Sequence, residues 1–233
     1  MIFDDMADKN QTVMRLIGES KTSLDYFFLL FISTLITTMG IILNNSSVVI
    51  GGMLISPLMT PLLAFGLSII TNNKTAIVRA SINLGKSMGI VLLISFLTAF
   101  MLGVKDANAN EITLRTTVKL PYLYIAILSG IAATYAWVKP KISASLPGIA
   151  VAIALVPPLC VTGIGLFLFD HAILTGSLQL FFINALGIIF SATIIFSLFG
   201  FHEMKYREEI ELVKEELEEI RNKPPKSSSE IVN

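Results

Sequence analysis

The sequence predicts an all-α polytopic membrane protein, with about six transmembrane helices in two inverted three-helix repeats. Three observations carry this. Apolar residues make up 54% of the 233 and charged residues only 15%, and the mean hydropathy is +0.75. Tyr26 to Thr71 contains no charge at all, far beyond the ~18 residues that cross ~30 Å of hydrocarbon. Two apolar stretches, Asn44 to Gly66 and Ser145 to Gly165, carry prolines where an uninterrupted helix would have none.

Residues 1–23 are polar with spaced apolar positions (Met6, Val13, Met14, Leu16, Ile17) and predict an amphipathic helix at the membrane surface. Residues 24–103 form the first three-span repeat, with spans at Leu24–Leu43, Val48–Ile70 and Ile82–Gly103. Asn44-Asn45-Ser46-Ser47 is a tight uncharged connection, and the second span contains Pro57 and Pro61. Residues 104–120 are a longer connection carrying Lys105, Asp106, Glu111, Arg115 and Lys119.

Residues 121–201 form the second repeat. Its spans are Pro121–Val138, Ala144–Phe169 (broken at Pro157-Pro158) and Ile173–Phe201. Pro121 suits the first turn of a helix, where its missing N–H costs nothing. Residues 202–222 predict an amphipathic helix. Tyr206, Ile210, Val213, Leu217 and Ile220 make a heptad seam of about two repeats, fitted to self-association. The polar tail, 223–233, predicts disorder.

Six spans put both termini on one side. Of the 17 Lys and Arg residues, only Lys105, Arg115 and Lys119 then lie on the opposite side. The positive-inside bias places both termini in the cytoplasm of a cell whose inner or plasma membrane holds the protein.

With Pro57 set on Pro157, the two broken spans share a layout. Each has small residues before the proline, a hydroxyl after it (Thr60, Thr162) and glycine beyond. Each is followed by a span with an Ile-Asn pair, at Asn83 and Asn184. Three spans per half is an odd number, so halves sharing a fold are inserted in opposite senses. Interrupted helices at matching positions of such halves are a secondary-transporter plan, with the site at the breaks near mid-bilayer.

Backbone groups freed at a break cannot find water in hydrocarbon and need side chains, an ion or a ligand. The candidate site residues are therefore Ser56, Pro57 and Thr60 with Pro157, Pro158 and Thr162. Asn44 and Asn45 in the first connection join them. Asn83 and Asn184 are further candidates, with hydrogen bonding to a neighbouring helix as the plainer role of each. Arg115 reads as an anion-attracting residue at a vestibule or as an interfacial arginine. The spans carry no Asp, Glu, Lys, Arg or His in their cores, which argues against a buried-carboxylate proton relay.

An enzyme is not expected. His171 and His202 fall at opposite ends of the last span, and the single cysteine, Cys160, sits in apolar surroundings that favour an inert thiol. No metal or cofactor site is expected, and zero net charge gives no argument for nucleic acid. The expected function is a transporter or channel for a small solute or inorganic ion. The alternative is a non-transporting scaffold or regulatory subunit that oligomerises through its C-terminal helix. The expected partners are the lipid bilayer, the solute or ion, and further copies of the chain.

The stretches Val48 to Pro61, Leu146 to Leu159 and Asn184 to Gly187 resemble the prokaryotic "uncharacterised hydrophobic domain" membrane family, the domain of unknown function numbered 389. Arg115-Thr116 matches the arginine preceding the fourth span in that family. The resemblance covers about residues 25–201. It implies a multi-pass membrane protein and no particular activity, and this chain resembles a short member without the soluble N-terminal domain of some relatives.

Overall fold

A computed structural model describes residues 6–20, 23–105, 109–139, 155–205, 209–210 and 212–214. Among these the chain is helical and contains no strand. The helices are α1 (Met6–Ser20), α2 (Leu24–Ile42), α3 (Ser46–Ile55), α4 (Met59–Ile70), α5 (Lys74–Leu102), α6 (Asn110–Thr113), α7 (Leu120–Val138), α8 (Val156–Leu168) and α9 (His171–Leu198), followed by a 3-10 turn at Phe201–Met204. α2, α5, α7 and α9 are long and apolar enough to cross a membrane, and α3 with α4 makes a fifth if the bent pair is one span. The expected span Ala144–Phe169 is represented by α8. The residues before it, including Ser145, Gly148 and Ala154, lie outside the described residues.

Four helix starts are closed by a side chain that accepts orphan backbone N–H groups. Ser23 accepts from Tyr26 N, Asn45 from Ser47 N and Val48 N, Asn73 from Ala76 N, and Asp170 from Ala172 N and Ile173 N. α4 and α8 start without a side-chain cap. Pro61 stands in the first turn of α4 and Pro157-Pro158 in that of α8, where a missing N–H removes a donor that would otherwise be orphaned.

Between α3 and α4 the chain turns. Ser56 is extended (ψ 129°), as a residue before proline must be. Its Oγ accepts from Leu58 N at 3.3 Å, and Thr60 N donates to Pro57 O at 3.2 Å. α4 leaves at 51° to α3.

The direction of each helix follows from its contacts. α1 ends at Ser20 and leads directly into α2, so α2 runs away from the α1 end of the bundle. α7 runs toward that end, because Thr12 Oγ1 of α1 donates to Trp137 O at the close of α7 (3.4 Å). α5 starts there, since Asn83 Nδ2 donates to Ser20 O (3.2 Å). α9 finishes there, with the 3-10 turn packed on α1. α4 runs toward the α1 end and α8 away from it.

α4 packs on both α5 and α9, and α8 packs on the same two helices. α2 packs on α5, and α7 on α9. Glycines set the closest crossings. A Cβ on Gly66 of α4 would lie 2.6 Å from Ala192 Cβ and 3.3 Å from Ile189 O. A Cβ on Gly163 of α8 would collide with Ser95 Oγ and lie 2.9 Å from Leu92 O. Such contacts are how helices associate where lipid removes the hydrophobic drive between them.

The outward faces carry large apolar side chains, among them Leu93 and Phe100 on α5, Leu128 on α7, and Leu186 and Phe190 on α9. The interior holds fully buried hydroxyls, Ser33, Thr34, Thr37, Thr38, Ser87, Ser95, Ser177 and Ser191. This is the distribution of a bundle solvated by lipid.

The amphipathic N-terminal helix forms, and its apolar stripe (Val13, Leu16, Ile17) is buried against the bundle through α4 and α7. In the C-terminal segment, Leu212 is buried and its carbonyl accepts from Arg79 Nη1 at 3.4 Å. Val213, a seam position by heptad spacing, is 53% exposed. Tyr206, Leu217 and Ile220 lie outside the described residues.

Candidate functional site

The expected site residues fall into separate places. Ser56, Pro57 and Thr60 form the turn between α3 and α4, with Thr60 buried. The helix leading into this turn is lined on one side by hydroxyls from α2. Ser33 Oγ donates to Gly52 O at 2.8 Å. Thr37 Oγ1 is buried against Gly52 without a hydrogen-bond partner among the described residues. Thr34 and Thr38 return their hydroxyls to the carbonyls four residues back, Leu30 O and Thr34 O, at 2.7 Å each, the usual way a membrane helix absorbs a hydroxyl.

Pro157, Pro158 and Thr162 line the buried start of α8. Thr162 Oγ1 donates to Pro158 O and shares a hydrogen bond with Ser177 Oγ of α9, both at 2.8 Å. Ser177 was not legible as a partner, because the pair meets only through the α8–α9 turn. Cys160, two residues before Thr162, is fully buried and its thiol points to Thr34 O of α2 at 4.0 Å. α8 also touches α3, the helix that leads into the first turn.

Asn44 and Asn45 lie at the far end of α2. Asn44 is left-handed (φ 52°) and Asn45 caps α3. Arg115 joins Asn44 there through a residue that the sequence reading passed over. Glu111, only 2% exposed, donates its backbone N–H to Asn44 Oδ1 at 3.0 Å. Its carboxylate accepts from Ser46 Oγ and is paired with Arg115. Arg115 Nη1 also donates to Glu111 O at 2.7 Å.

The signal was available in the four-residue spacing of Glu111 and Arg115, which brings two side chains together on one helical face. What the sequence did not disclose is the burial of a carboxylate that belongs to a connection. Asn83 binds α1 rather than the site. Asn184 is buried within α9 and hydrogen-bonded or otherwise engaged.

Comparison with known proteins supports one assignment. The family described as Domain of unknown function (DUF389) matches residues 53–190, more than half of the chain. Among curated proteins, the chain is similar to "Uncharacterized protein MJ0678" of Methanocaldococcus jannaschii, at 31% identity over 180 residues covering 76% of this chain and 55% of the relative. The chain thus spans about half the length of that relative. No solved structure matches it. The chain belongs to the DUF389 family.

Proposed function

We propose that this is a membrane transporter or channel for a small solute or ion, built from two inverted units whose half-helices α4 and α8 start near the bilayer midplane. One observation carries the reading. A single constant spacing relates Met59 to Val156, Pro61 to Pro158, Asn72 to Phe169, Asn73 to Asp170 and Lys74 to His171. These are the half-helix starts, their first-turn prolines, two left-handed residues, two capping side chains and two long-helix starts. The same spacing relates the glycine crossings, Gly66 on Ile189–Ala192 and Gly163 on Leu92–Ser95. The register sets Pro61, not Pro57, on Pro158.

The matched helices run in opposite senses: α2 away from α1 and α7 toward it, α4 toward and α8 away, α5 away and α9 toward. That is the layout of inverted-repeat transporters, where half-helix termini face the transported species. The positive end of each half-helix dipole lies inside the bundle. The first-turn prolines leave few N–H donors there, so the ends suit a loosely held ion or polar solute rather than a tightly caged one. Lys and Arg placement supports both termini in the cytoplasm, and the exposed Val213 leaves a seam position available for a homo-oligomer.

The test is aqueous access. Cysteine is placed at Ser56 or Met59 in a Cys160→Ala background and treated with a membrane-impermeant maleimide in proteoliposomes. Labelling from one or both sides, altered by candidate ions in a melting-temperature screen, supports transport. Complete protection under every condition, with Pro57→Ala and Pro158→Ala tolerated, sinks it in favour of a scaffold.

A further inference from the structure

Each proposed unit is preceded by a short helical segment that touches both units, and we infer that these segments, α1 and the 109–119 connection with α6, are a matched pair of end straps that gate the two mouths of the pathway. This rests on the transport reading above.

α1 precedes the first unit and is fastened to both, packing on α4 of the first and on α7 of the second. Thr12 Oγ1 donates to Trp137 O, the Arg15 guanidinium stands 4.6 Å from the Trp137 ring centroid, and Leu16 is fully buried. At its end, Ser20 O is held by Asn83 of α5. The 109–119 segment precedes the second unit and is likewise fastened to both. Glu111 N donates to Asn44 Oδ1 at the close of α2, Ser46 Oγ donates to the Glu111 carboxylate, and Ile112 is buried. At its end the Thr116 carbonyl lies against Gly176 of α9, so close that no Cβ fits there. The spacing that relates Leu24 to Leu120, the starts of α2 and α7, also relates Ser20 to Thr116.

The two straps are at opposite ends of α2, which at ~1.5 Å per residue spans roughly 28 Å. They differ in chemistry. The α1 strap meets the bundle through an apolar stripe and through one cation, Arg15, on an aromatic face. The α6 strap holds Glu111, whose buried carboxylate takes a hydroxyl and an arginine while its backbone N–H takes the Asn44 carboxamide oxygen, and neither Asn44 nor Ser46 belongs to α6. Each strap therefore ties the two units together at one end, so either mouth opens only by releasing its own strap.

The experiment uses the full chain in sealed proteoliposomes, with Cys160→Ala and Thr60→Cys as the reporter. Asn44→Gly keeps the left-handed backbone and removes the acceptor, and Ser46→Ala removes the hydroxyl donor. Thr12→Val and Arg15→Gln loosen the other strap. Hydrogen exchange of residues 6–20 and 109–119 measures strap release, and an impermeant maleimide added to one side measures access.

Loss of one hydrogen bond is expected to raise strap opening and labelling about five-fold. The rise should come only from the α6 side for Asn44→Gly and Ser46→Ala, and only from the α1 side for Thr12→Val and Arg15→Gln. Unchanged exchange of the straps overturns the strap inference and leaves the transport reading standing. Faster exchange with Thr60→Cys still protected from both sides overturns both. Labelling that rises equally from both sides overturns the straps as separate gates while keeping a hydrated pathway.

Discussion

Asn72 and Phe169 share one backbone conformation, left-handed with φ of 52° and 54°, each one residue before the side chain that caps a long helix. The relationship is informative because the residue types are so unlike. Asparagine enters that region readily. Phenylalanine does not, and a left-handed residue with a Cβ costs about 1–2 kcal/mol. Phe169 is 92% exposed and gains little packing in return. Phe169→Asn should therefore stabilise the protein by about 1 kcal/mol, read as a rise in melting temperature in detergent. A fall would mean that the ring is held by lipid or by another copy.

The two capping side chains should matter equally. Asn73→Ala and Asp170→Ala each leave orphan N–H groups at the start of a long helix, at a cost of about 1 kcal/mol. Asp170→Asn should recover most of the loss, since the carboxamide oxygen still accepts. Thermal unfolding of the four proteins decides it.

The glycine crossings are a sharper test of the packing. Gly66→Ala and Gly163→Ala force α4 from α9 and α8 from α5, and each should destabilise by about 1–3 kcal/mol. Gly85 on α5 has nothing within 4 Å of its would-be Cβ. Gly85→Ala should be neutral or slightly stabilising, because alanine is the better helix former. Equal loss at all three positions would mean that Gly85 is covered in the membrane.

Glu111 and Arg115 form a pair in which the carboxylate side chain is 3% exposed and the guanidinium 16%. Removing one partner strands the other. Glu111→Ala should cost about 3 kcal/mol, and Glu111→Leu with Arg115→Met should recover much of it. A double-mutant cycle on melting free energy checks the coupling. Additive losses would mean that the carboxylate serves Ser46 alone.

The sequence determined the helical class and the outer limits of most helices. Hydropathy alone located α2, α5, α7 and α9, because a helix crossing hydrocarbon must bring its own hydrogen bonds and an apolar surface, and both are written locally. Caps such as Asn45 and Asp170 are also local, but their role emerged only with the coordinates. The turn at Ser56-Pro57 was legible because proline acts on its immediate neighbours.

Tertiary structure decided what lies far apart in sequence. It buried Glu111 of a connection, set Thr162 on Ser177, fastened Asn83 to α1 and brought Gly66 and Gly163 onto α9 and α5. It also bears on the register of the two proposed units. The sequence had aligned Pro57 with Pro157, since prolines are conspicuous and the flanking identity is low. The proposed register pairs Pro61 with Pro158 instead, because helix starts, left-handed turns and glycine crossings share one spacing. That spacing belongs to backbone geometry, and no single residue type announces it.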